Sequence, residues 1–327
     1  MRRHSVRLPR DFIFSLKDLL PPQYYSQVLN SFAIRKPTTF RVNSLKITAA
    51  QLRKNLADEG IKADTIHWYK DAFILKNITL RKLQETKWYK EGYLYVQSFS
   101  SMIPALVLAP QPKDLVLDIT AAPGSKTTQM AMLMGNTGEI VANDISRVRL
   151  FKLEANAKTQ GVSNTKIVNA PAQRIWQMYK EYFDKTLVDV PCSMEGRFDT
   201  HEPKTYAGWS FKKVKTLAKD QKWILRSAVS ATKVGGMIVY STCTISPEEN
   251  EGVIDWILKK EKGKLRVETI VLPGIQTMQG IEKCLDETYS PEVKKTLRII
   301  PSVNMEGFFV AKLKKIKSTV SQLPKVS

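Results

Sequence analysis

From about residue 112 to residue 312, short apolar runs alternate with helical patterns, and this alternation constrains the fold more than any other feature. A run of four to six aliphatic residues followed by an amphipathic stretch reads as a strand and its crossover helix, the unit of a parallel sheet. The pattern predicts strands at 115–119, 139–143, 165–169, 185–190 and 237–241, with weaker ones near 265–271 and 307–313. Helices are expected at 125–134, 147–160, 172–180, 211–233 and 248–260, with Gly161 and Gly235-Gly236 ending two of them. The expected fold is α/β, a doubly wound sheet of about six or seven strands. Residues 11–110 read differently. A helical stretch Phe12–Phe32 broken at Pro21-Pro22, a strand at Thr38–Lys46, a helix from Thr48 or Ala49 to Gly60, and strands at Trp68–Leu75 and Tyr93–Gln97 make a smaller α+β module. The expected division is 1–110, 111–315 and a basic tail at 316–327.

In an open α/β sheet, ligands and catalytic groups collect at the carboxyl ends of the strands. Two cysteines fall there: Cys192 in Leu187-Val-Asp-Val-Pro-Cys-Ser193, and Cys243 in Met237-Ile-Val-Tyr-Ser-Thr-Cys-Thr244. Each sits in a turn of small polar residues, whereas Cys284 reads as a small buried hydrophobe. Asp189, three residues before Cys192, could cap a helix or hydrogen-bond an amidine edge such as cytosine N3 and N4. The first strand of the sheet runs into Thr120-Ala-Ala-Pro-Gly-Ser-Lys126, where small residues and a helix start allow close approach of a ligand. It carries neither the G-x-G-x-x-G of dinucleotide binders nor the complete phosphate loop. Asp144 ends the next strand, a position suited to two ribose hydroxyls.

A thiol beside a nucleotide-like cofactor is the combination needed to alkylate an unreactive pyrimidine carbon. C5 of cytosine becomes nucleophilic once a thiolate adds to C6, and a base must then remove the C5 proton so that the thiolate leaves. Residue chemistry does not decide which of Cys192 and Cys243 is the nucleophile. Such a base must also be splayed out of its stack, which single-stranded or bulged RNA makes cheaper.

Composition fits a polyanionic partner. The net charge is +20, and nine Lys or Arg in residues 1–46 face only Asp11 and Asp18, while 311–327 holds five Lys and no acid. Both ends are expected to flank one basic groove leading to Cys243, with Lys312, Lys314, Lys315 and Lys317 on phosphates. Three cysteines suit neither a disulfide framework nor a zinc site, so a reducing, cytoplasmic setting without metal is expected. No apolar run reaches the roughly 18–20 residues of a membrane span. The basic start lacks the apolar core of a signal peptide, which leaves a transit segment as the alternative. A monomer is expected.

Together these residues resemble the RNA cytosine-C5 methyltransferases of the Sun/NSUN/RsmB/RsmF type. The matching motifs are Phe40-Arg-Val-Asn-Ser-Leu-Lys46, Gln97-Ser-Phe-Ser-Ser101, Ala121-Ala-Pro-Gly-Ser-Lys-Thr127, Asp189-Val-Pro-Cys-Ser193, Tyr240-Ser-Thr-Cys-Thr244 with Pro247-Glu-Glu-Asn-Glu251, and Glu306-Gly-Phe-Phe-Val-Ala-Lys312. They span most of 12–312. The resemblance implies a Rossmann-like S-adenosylmethionine-dependent methyltransferase domain behind a smaller α+β domain that binds RNA. It implies Cys243 as the nucleophile, Cys192 as the group assisting product release, Asp189 at the target cytosine and the reactive end of the cofactor, and Lys126 lining the site. Thr120, Ala121, Ala122, Pro123, Gly124, Ser125 and Lys126 would hold the methionine part of S-adenosylmethionine and Asp144 its ribose. Ribosomal RNA is the expected substrate and transfer RNA the alternative.

The chain departs from the family pattern at Val190, Met194 and Glu306, and leaves no room for the C-terminal RNA-binding domain some members carry. An acid expected beside the adenine is replaced by Pro171, with Asn169 as the nearby substitute. Two other readings are a DNA cytosine-C5 methyltransferase, which the second cysteine motif disfavours, and an RNA-binding or assembly factor on a degenerate methyltransferase fold.

Overall fold

A computed structural model describes residues 8–284 and 287–320. The first-module strands β1 (Thr39–Val42), β2 (Ala63–Thr65), β3 (Ala72–Leu75) and β4 (Leu94–Val96) form an antiparallel sheet ordered β2-β3-β1-β4. Its core is Phe40, Val42, Leu52, Leu56, Phe73 and Leu83. Helices α1 (Arg10–Leu19) and α2 (Pro22–Ser31) are separated at the two prolines, whose fixed φ suits a helix start and not its interior. They do not rest on that small sheet. Phe12 and Phe32 pack on Phe198, at the loops of the larger domain, with centroids 4.9 and 6.5 Å away. Helix α3 (Ala49–Asp58) is capped by the Thr48 hydroxyl, which accepts from the Gln51 amide, and ends at left-handed Gly60. Two short helices, α4 (Leu80–Glu85) and α5 (Lys87–Lys90), lead into β4.

Helix α6 (Phe99–Leu108) went unseen in the pattern because it is apolar nearly all round and contains Pro104. Its residues are buried within the second core, among Val116, Leu187 and Val239 of the large sheet. That sheet has nine strands: β5 (Leu115–Asp118), β6 (Glu139–Asn143), β7 (Thr165–Val168), β8 (Phe183–Asp189), β9 (Thr232–Thr242), β10 (Leu265–Glu268), β11 (Thr277–Gln279), β14 (Leu297–Ile299) and β15 (Phe308–Lys315). The small pair β12 (Lys283–Cys284) and β13 (Glu287–Thr288) lies apart. Strands β7-β6-β5-β8-β9 are parallel. Strand β15 is antiparallel to β9, and its far edge takes β14 along its first half and β10 along its second. Helices α7 (Ser125–Leu133), α8 (Arg147–Gln160), α9 (Ile175–Met178), α10 (Phe211–Ala231) and α11 (Glu251–Lys260) complete the α/β alternation.

Three local expectations are corrected. Gly235-Gly236 does not end a helix: α10 stops at Ala231, β9 begins at once, and the glycines form an irregularity where its register against β8 slips. A Cβ on Gly236 would lie 2.8 Å from the Asp184 carbonyl oxygen. The helix expected from 248 starts at Glu251, because Asn250 is spent on the preceding turn, accepting from the Thr242 hydroxyl and donating to the Thr244 carbonyl. The stretch 172–180 closes only a 3-10 turn, Ala172–Arg174, and the one-turn α9.

Candidate active site

Strands β8 and β9 are neighbours, so the turns leaving them meet above the sheet. The sulfurs of Cys192 and Cys243 stand 3.3 Å apart as free thiols. The hydrogen bond to Cys243, reinforced by burial, pushes the Cys192 thiol well above the ordinary thiol range. Beside them, one oxygen of Asp189 takes the Lys126 ammonium at 2.7 Å and the other takes the Ser241 hydroxyl at 2.7 Å. Lys126 also donates to the Ser101 hydroxyl at 2.9 Å. The structure therefore brings Cys192, Cys243, Asp189 and Lys126 to one rim.

The two cysteine turns are cross-braced by buried carboxyl groups that the pattern did not single out. Glu195, from the first turn, accepts from the Thr244 hydroxyl and the Ile245 amide of the second, and from the Trp209 indole. Glu249, beyond the second turn, accepts from the Ser193 amide of the first and from Gln221. Burial raises both carboxyls, Glu249 to about 7. Arg298, paired with Glu251 inside the protein, donates to the Ile245 carbonyl at 2.6 Å. Apart from Trp209 and Gln221, the partners sit 47 to 56 residues apart in sequence, so only the folded sheet joins them.

The loop Thr120–Ser125 crosses the carboxyl end of β5. The Thr120 hydroxyl donates to the Asp189 carbonyl at 2.8 Å, tying this loop to the cysteine rim. Ala121 and Ala122 are buried, the Ala122–Pro123 peptide is cis, and Gly124 has φ +103° at the start of α7. A Cβ there would be both strained and tight against Leu153. Asp118, at the end of β5, accepts from the Thr127 hydroxyl and is raised by burial to about 7.

Asp144, at the end of β6, accepts from the Ala122 amide at 3.3 Å and the Ser146 amide at 2.9 Å. Arg149, missed in the sequence, pairs with Asp144 at 3.1 Å and donates to the Ala122 carbonyl. The first turn of α8 is thereby locked onto the loop. Asn169 has a different place from the one expected. Its amide nitrogen donates to the Asp144 and Ile145 carbonyls and its oxygen accepts from Arg147, so its polar atoms brace the turn instead of facing a ligand.

Between these parts lies a cavity of about 160 Å³ bounded by Thr120, Asp144, Ile145, Ala172, Gln173 and Asp220. Its chemistry suits an adenosine group. Asp144 offers a carboxylate for ribose hydroxyls, Ile145 and Ala172 offer apolar walls for a flat ring, and Gln173 and Asp220 are polar partners for its edge. The loop closes the side toward Asp189.

The family-like motifs outside the large sheet clamp this machinery together. Buried Arg41 reaches from β1 to Gln97 at 2.9 Å and to the Thr128 hydroxyl of α7 at 2.7 Å, with Tyr95 over its guanidinium. Burial lowers its pKa to about 10, leaving it a cation at neutral pH. Ser98 and Ser100 hold Glu306 by its side chain and its carbonyl. Among the described residues, no group of three or more His, Cys, Asp or Glu is placed to hold a metal ion, and no helix is long and apolar enough to cross a membrane.

The lysine-rich end departs from expectation. Strand β15 runs antiparallel to β9, so Phe309 lies opposite Thr242 while Lys314 lies opposite Met237, at the other end of the sheet from Cys243. Lys315 is fully buried, donating to the Val229 and Thr232 carbonyls and pairing with Glu181 at 2.9 Å. Among the described residues, the lysines of β15 therefore line no groove leading to Cys243. Arg2, Arg3, Arg7 and Lys325 of the terminal basic arms lie outside the described residues.

Comparison with known proteins gives a consistent result. A family model described as 16S rRNA methyltransferase RsmB/F matches residues 105–314, and one for the N-terminal domain of 16S rRNA methyltransferase RsmF matches residues 8–98. The tRNA (cytosine(49)-C(5))-methyltransferase of Pyrococcus abyssi is 39% identical over 279 residues, covering 85% of this chain and 88% of that protein. Ribosomal RNA small subunit methyltransferase F of Vibrio cholerae is 36% identical over 319 residues, 96% of this chain but 65% of that protein. The human 28S rRNA (cytosine(4447)-C(5))-methyltransferase is 34% identical, with 95% of this chain matching 38% of that protein. The chain thus spans less than two thirds of the bacterial and human relatives. Among solved structures, a methyltransferase homologue from Pyrococcus horikoshii superposes with a TM-score of 0.82 at 29% identity, covering 95% of this chain and 96% of that one. NSun6 from Pyrococcus horikoshii with SFG shares the fold, with a TM-score of 0.79 at 24% identity and coverage of 95% and 99%.

Proposed function

The chain belongs to the RsmB/F family of RNA cytosine-C5 methyltransferases, and from that premise we propose that it methylates a cytosine of structured RNA, ribosomal RNA in particular, through a covalent bond from Cys243 to C6. The observation that carries this reading is the pair of thiols 3.3 Å apart with the Asp189–Lys126 pair beside them. One thiol suffices for addition to C6. A second thiol beside it is placed to act when that bond is broken.

S-adenosylmethionine, when bound, supplies an electrophilic methyl group. Asp144 holds its ribose, Ile145 and Ala172 its ring, and the Thr120–Lys126 loop its methionine end. Gln173 and Asp220 take the adenine edge that the family's acid would take at Pro171. Asp189 accepts from the N4 amino group of the cytosine, and from N3 when that nitrogen carries a proton, and Lys126 keeps the carboxylate from facing the ring uncompensated. Cys243, its proton lost to solvent, attacks C6 as the thiolate, and the C5–C6 electron pair moves toward C5, which takes the methyl group from the bound sulfonium and leaves a neutral thioether. Transfer of the C5 proton to water restores the C5–C6 double bond and expels Cys243 as the thiolate. Cys192, held as a thiol 3.3 Å from the departing sulfur, assists that elimination by donating a hydrogen bond to the leaving thiolate.

Residues 1–110 serve RNA binding and 111–315 catalysis, in a cytoplasmic monomer whose reducing surroundings keep the thiols apart. The test is methyl transfer from tritiated S-adenosylmethionine into total RNA, DNA or neither, with bisulfite sequencing of the labelled RNA. Incorporation into RNA at cytosine is expected. Label in DNA alone would favour the DNA enzyme, and no label would favour an assembly factor on the same fold.

A further inference from the structure

An open cleft of about 590 Å³ lies beside the first cysteine turn, between the segment after α2, residues 194–205 and Glu306. Its size falls in the roughly 300–1,000 Å³ range of sites that seat a small molecule or one nucleotide. The inner end is the Gly196 turn, whose amide donates to the Cys243 carbonyl at 3.0 Å. A Cβ on Gly196 would lie 2.0 Å from the Gly307 carbonyl oxygen, so the turn is pressed against the Glu306 segment. That approach fixes Arg197 at the mouth of the thiol site. Its Nε donates to Glu306 at 3.2 Å, while Nη1 and Nη2 have no partner among the described residues. The outer end holds Arg35, which is exposed and makes no ion pair or hydrogen bond among the described residues.

The acids on the same wall are already engaged. Glu306 takes Arg197 and Ser98, Glu202 takes Lys204, and Asp199 takes the His201 amide. Lys36, which also lines the cleft, donates to the Ser31 and Ser302 carbonyls, so Arg35 and the outer nitrogens of Arg197 remain for an anion from outside, with Met194 and Ile34 presenting exposed apolar surface beside them. We propose that this cleft seats the nucleotide adjoining the target cytosine in the RNA strand, with Arg197 and Arg35 on the phosphates to either side of it and Met194 and Ile34 against its base. The inference rests on the RNA reading above and adds a subsite to it. It gives a splayed cytosine its anchor, since a base can be held out of its stack only if the adjoining backbone is pinned.

The experiment uses the full chain and, as substrate, an unmethylated transcript of the RNA it labels. KM for RNA and the salt dependence of kcat/KM are measured for wild type, Arg35→Gln, Arg197→Gln and the double variant, alongside S-adenosylmethionine affinity by calorimetry. Each single variant should raise KM for RNA by about tenfold, the loss of one charge-assisted contact. Each should also flatten the slope of log kcat/KM against log salt by about 0.7, one phosphate on a single strand. Cofactor affinity should stay at the wild-type value, which excludes a folding defect. An unchanged KM and slope in the double variant would overturn the subsite while leaving RNA methylation intact. A wild type that methylates no RNA would overturn the function and the subsite together.

Discussion

The two ends of the large sheet treat charge in opposite ways. At the carboxyl ends of the parallel strands, Asp118, Asp144, Glu195 and Glu249 are buried and each is tied to a backbone amide, a hydroxyl or a cation of a neighbouring loop. At the opposite end, Lys312, Lys314 and Lys317 are partly or fully in solvent, whereas Lys315 is sunk into the wall as a structural cation. A buried charge or carboxyl is costly unless paired, so a cluster of them marks where the fold spends stability on holding loops in one geometry. Lysines in solvent spend nothing, and they mark no site. Net charge alone does not tell the two ends apart.

The sharpest way to break this comparison is at the thiols. Cys243→Ala should abolish methyl transfer, and Cys192→Ala should accumulate a covalent protein–RNA adduct, because attack proceeds and elimination stalls. Denaturing gels with labelled RNA read the adduct directly. An adduct in Cys243→Ala and none in Cys192→Ala would reverse the two roles.

Next in size is the cofactor end. Asp144→Ala removes the proposed ribose ligand and also the partner of Arg149, so S-adenosylmethionine affinity should fall by about 1.5–3 kcal/mol, the range for a charge-assisted hydrogen bond. Calorimetry showing unchanged affinity would take Asp144 out of the ribose site. Arg149→Gln separates the effects, since it loosens the α8 turn while keeping the carboxylate.

A smaller effect lies in the pH dependence of stability. Glu249 is raised to about 7 from its ordinary value of 4.5, so the folded state holds its proton where the unfolded chain has released it. Its contribution to stability is fully present below the unfolded value and declines as pH rises through the folded one, over roughly pH 4.5 to 7. Glu249→Gln keeps an acceptor for Ser193 and Gln221 and cannot ionise. Urea unfolding across this window should show wild type losing stability relative to the variant, by up to about 1.4 kcal/mol for each unit of separation. Asp118 is also raised to about 7, so the variant keeps part of the decline. Parallel curves would mean that Glu249 is already ionised in the fold.

What the sequence disclosed and what it hid follow from the range of the interactions. Strand ends are local: apolar runs stop where polar turns begin, which located Cys192, Cys243, Asp189 and Asp144. The small loop Thr120–Ser125 is likewise local, and Gly124 signals a backbone conformation that side chains resist. The braces are not local. Glu195 to Ile245, Glu249 to Ser193 and Arg41 to Thr128 join residues 50, 56 and 87 positions apart, and nothing in a single-sequence pattern distinguishes them from solvated charges. Asn169 failed for a related reason. Its position beside the third parallel strand was readable, but the direction of its amide was set by carbonyls of another loop. Gly235-Gly236 looks in sequence like a helix stop, and only the pairing of β9 with β8 shows it as a strand irregularity.

The smallest expected effect is the one that net charge would have made largest. Lys312, Lys314 and Lys317 were the natural candidates for phosphate contacts, yet Lys314 lies five residues along β9 from Thr242, about 16 Å of strand away from the thiols. Replacing Lys312, Lys314 and Lys317 with Gln should therefore leave the salt slope of RNA methylation within about 0.3 of wild type, less than half a phosphate contact. The side chains of these three lysines make no ion pair or hydrogen bond among the described residues and contribute little to stability, so the melting temperature should also hold. Lys315→Gln is the contrasting control. It leaves the Val229 and Thr232 carbonyls and Glu181 short of a buried cation, and should destabilise the fold by about 1–3 kcal/mol without any effect on the salt slope. A flattened slope in the triple variant would put RNA at both ends of the sheet and dissolve the distinction between them.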